Sequence, residues 1–189
     1  MRMRARTTLA VVAASALTAV SAPAASAKLQ LRVLGLQHGN RFGIAQVYKG
    51  FGCTGRDLSP KLAFEGVPAQ AKSLAITIHD PDAATESGWW HWLVYDIPMR
   101  TTGLAEGAGS AAGGLLPKGA LQGPNDFGGN DYGGVCPPAG ARAHRYHVTL
   151  WALKVATLGA PKGASAALIS DLIEANAIAH RTVIVRYSR

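Results

Sequence analysis

Cysteine is scarce in this chain, with 2 in 189 residues, and charge is sparse at 16%. Two cysteines cannot build a disulfide-rich miniprotein or a zinc site of four thiolates. Lys and Arg outnumber Asp and Glu by 19 to 11, yet they are scattered, so the nucleic-acid footprint of a basic stripe is missing. The 22 glycines follow no three-residue period, which excludes collagen. After residue 27 no apolar run is long enough to cross a membrane. Neither H-E-x-x-H nor G-x-S-x-G occurs, which removes the usual sequence grounds for a zinc protease or an α/β-hydrolase. At 48% hydrophobic residues, the chain is nonetheless too apolar to be disordered.

What is present begins with an export signal. Arg2, Arg4 and Arg6 make a basic start, Leu9 to Val20 is uncharged and largely apolar, and Ala25-Ser26-Ala27 supplies a small-residue cleavage site. This order predicts a secretory signal over 1–27 and a single mature domain over 28–189, periplasmic or secreted. Paired arginines and a cysteine at the cleavage point are both missing, which argues against the twin-arginine and lipoprotein routes. Removing the three arginines of the signal lowers the net charge from +8 to +5. In an oxidising compartment Cys53 and Cys136 form a disulfide by default. Closing a loop of about 80 residues would stabilise the fold by about 4–5 kcal/mol in the chain-entropy model. A nucleophilic Cys136 served by His144 is the alternative, and pairing would consume its thiol.

The mature chain reads mainly as strands. Leu29, Leu31 and Val33 alternate with polar residues, as in an edge strand. Leu74, Ile76 and Ile78 share one face of a strand over 73–79, and Trp92 to Ile97 suits a strand buried on both faces. Tyr146, Val148, Leu150 and Ala152 alternate, and Thr182 to Tyr187 is a β-branched run. One segment, Ser165 to His180, reads as helical, with Leu168, Leu172, Ala175 and Ala179 as its apolar face and Ser165 as its cap. Strands separated by long Gly/Pro loops and one late helix predict a two-sheet antiparallel β-sandwich with a few peripheral helices.

Two loop motifs carry the chemistry. Asp80-Pro81-Asp82 follows a strand and leads into Trp89-Trp90-His91-Trp92. The first reading is a carboxylate–imidazole pair, Asp80 to His91, which would fix a tautomer and favour the protonated ring. A plain Asx turn beside a core histidine is the alternative. The second motif runs from Tyr132 through Gly133-Gly134-Val135-Cys136-Pro137-Pro138 to His144-Arg145-Tyr146. Adjacent glycines can turn successive N–H groups into an anion nest. His144 and Tyr146, two apart, share one strand face, and Arg145 points away. An ordinary Gly/Pro turn is the alternative.

D-P-D, then W-W-H-W-L-V, then Y-G-G-V-C-P-P-x-G-x-x-x-H-R-Y resembles the phosphatidylethanolamine-binding protein family, and its bacterial Raf kinase inhibitor-like branch in particular. The likeness runs from about Leu29 to the end and includes Phe51-Gly52-Cys53 and Ser59-Pro60. It implies the same sandwich with a small anion pocket at one end. The pocket acids fall on Asp80 and Asp82, the histidines on His91 and His144, and the phenol on Tyr146. The wall falls on Gly134, Cys136 and Pro137, and the apolar rim on Trp90. Two positions depart from the family pattern. Ala84 replaces a proline after D-P-D-A, which predicts a differently shaped loop, and Val135 replaces a proline in the wall, which predicts a looser wall.

The leading expectation is therefore a binding protein, not an enzyme, for a small anion or phosphorylated head group. It would need no cofactor and would act on a protein target as inhibitor or regulator. The alternatives are a protein-interaction module using the Gly103–Gly128 loop, and a hydrolase holding a metal at Asp80, His91 and His144.

Overall fold

The computed structural model describes residues 28–189. The export-signal reading of 1–27 lies outside the described residues. The strands are β1 (Gln30–Leu34), β2 (Lys49–Gly50), β3 (Cys53–Thr54), β4 (Lys61–Glu65), β5 (Ser73–Asp80), β6 (Trp89–Pro98), β7 (Gly103–Leu104), β8 (Leu121–Gln122), β9 (His144–Leu153) and β10 (Ala177–Tyr187), with helix α1 (Ala166–Asn176) before the last. A five-stranded sheet has the order β10-β9-β5-β6-β8, and a three-stranded sheet the order β1-β4-β7. Every pairing between these strands is antiparallel. The expected mainly-β architecture of antiparallel sheets is present.

Alternation explains the core. Leu74, Ile76 and Ile78 of β5 and Tyr146, Val148, Leu150 and Ala152 of β9 point inward against Leu31, Leu62 and Phe64 of the smaller sheet. The edge reading of β1 holds, since β1 pairs with β4 alone. The opposite face of the large sheet, through Ala75, Leu93 and Leu153, is covered by α1.

The helix differs from its prediction in two ways. It ends at Asn176, and the next four residues already belong to β10. Its buried face is Ala166, Ile169, Ser170 and Ile173, while Leu168 is exposed. Both rows have helical spacing, so periodicity alone cannot choose between them; the sheet surface of Leu93 and Leu153 selects the isoleucine row. Ser165 does cap the helix, accepting from the Leu168 N–H at 3.2 Å. Apart from α1, the described residues contain only a short 3-10 turn, Ile44–Gln46. The Gly103–Gly128 segment is not one loop, because β7 and β8 within it extend both sheets; Ser110–Leu115 is its continuously exposed part.

Cys53 and Cys136 are joined in a disulfide with Cα atoms 6.0 Å apart. The nucleophilic reading of Cys136 is thereby overturned, since the sulfur is already bonded to a second sulfur.

Candidate functional site

The inward rows of β5, β6 and β9 turn polar at one end of the sandwich. Asp80 continues the row of Leu74, Ile76 and Ile78, and His144 precedes Tyr146 in the row of β9. With His91 they floor a pocket of about 240 Å³, whose walls include Phe51, Trp89, Phe127, Cys136 and Pro137.

Each polar group has a defined state. Asp80 is buried; its Oδ1 accepts the Asp82 N–H at 2.9 Å, and its Oδ2 accepts His144 Nδ1–H at 2.7 Å. Asp80 therefore pairs with His144, not with His91. His91 Nδ1 donates to the Gly133 carbonyl at 2.7 Å. Burial pushes the His91 imidazolium down to about 4, so the ring is neutral and not protonated as the sequence reading had it. The Asx turn of the alternative reading is present, and His91 is a buried histidine bonded to a backbone carbonyl, so the expected Asp80–His91 pair is overturned. Tyr146 sits edge-on to Phe42 and His91, and its buried hydroxyl has no partner within the protein. Burial, with the Asp80 carboxylate behind it, pushes the phenol far up, so it stays a donor.

The rest of the second motif is committed elsewhere. Gly133 N–H donates to His91 O, Gly134 N–H to Asp57 Oδ1, and Val135 N–H to Gln46 O. The expected anion nest is absent because all three donors are spent on the fold. Val135 adds a bond to Gln46 that proline could not make, so the wall is knitted more tightly, not loosened. Asp82 lies outside the pocket lining. Its carboxylate is gripped by Arg145 through N–H, Nε and Nη2 at 2.7–2.9 Å and by Arg142 at 3.2 Å. The Arg145 guanidinium holds that carboxyl well below the usual range. Arg145 turns away from the pocket as predicted, and among the described lining residues there is no Lys or Arg.

The family model described as phosphatidylethanolamine-binding protein matches residues 36–188. The chain belongs to the phosphatidylethanolamine-binding protein family. YbcL of Escherichia coli is 41% identical over 168 residues, covering 89% of this chain and 92% of YbcL. The YbcL crystal structure superposes with a TM-score of 0.83 over 86% of this chain and 99% of that one, at 42% identity. That of CT736 from Chlamydia trachomatis gives 0.71 at 28% identity, over 87% and 99%. LppC of Mycobacterium tuberculosis, named as a lipoprotein, is 42% identical over 116 residues, 61% of this chain and 52% of LppC.

Of the residues the family resemblance assigned, the pocket gathers Asp80, His91, Cys136, Pro137, His144 and Tyr146. Gly134 lies behind the wall, and Asp82 braces the start of β9. Trp90 faces the other side of the sheet, packed at a tilt against His79 with ring centroids 4.2 Å apart, and Trp89 forms the wall instead. The reason is a bulge. Ile78 pairs with Trp92, but His79 pairs with Trp90, so His91 is an extra residue and the inward row shifts to Trp89 and His91. Phe51 and Phe127 were missed. Phe51 sits at the tip of the β2–β3 hairpin with φ 48 and is 72% exposed. A left-handed conformation costs an aromatic residue about 1 kcal/mol or more, and here it holds the ring at the pocket mouth. Among the described residues no group of three His, Cys, Asp or Glu side chains is placed to hold a metal ion.

Proposed function

We propose that this chain is a binding protein for a small oxyanion of the phosphate-head-group type, and that it does not catalyse. One observation carries the reading. Two imidazoles with Nδ1 already committed and two buried, unpartnered donors, the Tyr146 hydroxyl and Trp89 Nε1, belong to residues lining one pocket, whose remaining lining is mostly apolar apart from the Asp80 carboxylate. A buried hydroxyl without a partner costs about 1–3 kcal/mol, and a ligand oxygen accepting from it would recover that cost. The role would be extracytoplasmic. The signal pattern of 1–27, the Cys53–Cys136 disulfide and the lipoprotein name of LppC all fit it. The protein would act by presenting or withholding the ligand, or by regulating another enzyme through the ligand-bound surface.

The test is calorimetric titration with inorganic phosphate at pH 6 and pH 8. The pocket lining holds no Lys or Arg, so the reading expects tighter binding at pH 6, where imidazoles in general carry more positive charge, than at pH 8. Equal affinity at both values, or no saturable binding at either, would contradict the reading.

A further inference from the structure

We propose that the outer face of the five-stranded sheet carries a second binding site, which takes one neutral sugar ring. The site is independent of the anion pocket, because its side chains leave β5, β6 and β9 on the opposite side.

Strand register builds it. Thr77, Thr149 and Thr182 lie side by side on β5, β9 and β10. Two residues along the strands stand His79 and His147 on one side, and Trp151 and His180 on the other. Trp90 of β6 pairs with His79. Alternation puts all of them on one face. To one side, the same face presents Ala75, Leu93 and Leu153 to Ile169 and Ile173 of α1. Over the threonines that cover ends, and of α1 only Glu174 borders the cavity of about 210 Å³ left there. This is below the roughly 300–1,000 Å³ of pockets for drug-sized ligands, so it has room for a single ring and not for a chain.

Its polar groups are mixed in kind. Thr77 and Thr149 are buried. Thr77 Oγ1 accepts the Trp151 Nε1–H at 3.0 Å, a bond that leaves the Thr77 proton unused. Thr149 and Thr182 share one hydroxyl bond at 2.9 Å, which uses one of their two protons. His147 Nε2 is buried without a partner. Burial, with His79 and Arg145 nearby, pushes the His147 imidazolium down. Two indoles are held beside these groups. Trp90 packs against His79, whose Nε2–H donates to the Ser87 carbonyl at 2.8 Å, and Trp151 packs against His180 with ring centroids 5.0 Å apart. No Lys or Arg lines the cavity, and Glu174 brings its one carboxylate.

Such a lining suits a ligand whose groups each donate and accept, joined by apolar C–H surface. A sugar hydroxyl accepts a threonine proton and donates to Glu174 or to a threonine lone pair, and it meets His147 Nε2 in either tautomer. The C–H surface of the ring would lie against the indoles. An anion would meet the Glu174 carboxylate with no Lys or Arg to offset it. An ammonium would suit Glu174 and the indoles, but it has no lone pair to accept the threonine protons.

The experiment is an NMR titration that follows the indole N–H signals of the 4 tryptophans. Trp90 and Trp151 border the cavity, Trp89 lines the anion pocket, and Trp92 is in the core. Glucose, galactose, mannose and N-acetylglucosamine are added separately, each to about 50 mM, enough to saturate a site of millimolar Kd. At least one of them should shift the Trp90 and Trp151 signals saturably and leave Trp89 unmoved. Thr182→Val keeps the side-chain shape and removes a hydroxyl. Glu174→Ala alters an exposed position, so it serves as the test where Thr182→Val lowers stability. Each should weaken that sugar about threefold or more, the loss expected of one net hydrogen bond. Phosphate and tetramethylammonium, the charged probes, should leave Trp90 and Trp151 unmoved. The proposal is overturned if no sugar shifts both signals, if affinity is unchanged in the folded variants, or if a charged probe binds there instead.

Discussion

Gly134 shows how a single residue position is constrained by packing and not by ligand. A Cβ there would lie 2.4 Å from Tyr48 N and 2.6 Å from Gln46 O, both backbone atoms that cannot swing aside. Gly134→Ala should cost about 2–3 kcal/mol by overpacking, measured by urea denaturation; a loss under about 0.5 kcal/mol would refute the contact. His91 makes a prediction about acidity. Its folded value of about 4 lies below the ordinary imidazole value of 6.5. The unfolded chain therefore binds the extra proton between those values, and stability falls as pH drops through that window. The full effect is on the order of 3 kcal/mol. His91→Asn, which can keep the bond to Gly133 O without titrating, should flatten the dependence of Tm on pH between 6.5 and 4; an unchanged slope would contradict the assignment.

At the scale of elements, the start of β9 is held to the β5–β6 loop by Asp82. Four donors converge on a carboxylate that is 4% exposed, but Arg145 is 47% exposed and Arg142 79%, so solvent screening discounts the pair. Asp82→Asn should cost about 1–2 kcal/mol while leaving the pocket's polar floor intact. The expected readout is a lowered Tm with anion affinity nearly unchanged; a collapse of affinity at unchanged stability would make Asp82 a ligand after all. Elements are also where sequence reading met its limit. The inward rows of β5 and β9 were legible because strict alternation carries them from the core to Asp80, His144 and Tyr146. The row of β6 was not, because one bulged residue at His91 exchanges Trp90 for Trp89, and nothing local in W-W-H-W announces it. The helix face was misjudged for a similar reason: two apolar rows fit the period, and only the sheet beneath decides. Phe127 lies in a Gly-rich segment without periodicity, so no pattern pointed to it.

For the molecule as a whole, the disulfide ties the β2–β3 hairpin, which carries Phe51, to the pocket wall across 83 residues. Replacing both cysteines by serine removes a cross-link worth about 4–5 kcal/mol in the chain-entropy model. The denaturation midpoint should drop accordingly, and a change under about 1 kcal/mol would show that other contacts already fix the hairpin. The family was legible in the sequence because its motifs fall at the ends of strands that the hydrophobic pattern places side by side. The roles inside the motifs were less so, because which N–H meets which carbonyl depends on contacts between distant segments, such as Gly133 with His91 and Val135 with Gln46.

On the proposed reading Tyr146 keeps an unpaired hydroxyl for a ligand, at a cost to the free protein. The most direct test is Tyr146→Phe, with Tm and phosphate affinity measured on the same samples at pH 6. The ring packing against Phe42 and His91 is retained, and the orphaned hydroxyl is removed. The prediction is opposite signs: Tm rises, by an amount equivalent to about 1 kcal/mol, and phosphate affinity falls about threefold to tenfold. A lower Tm with unchanged affinity would make the hydroxyl structural and contradict the account.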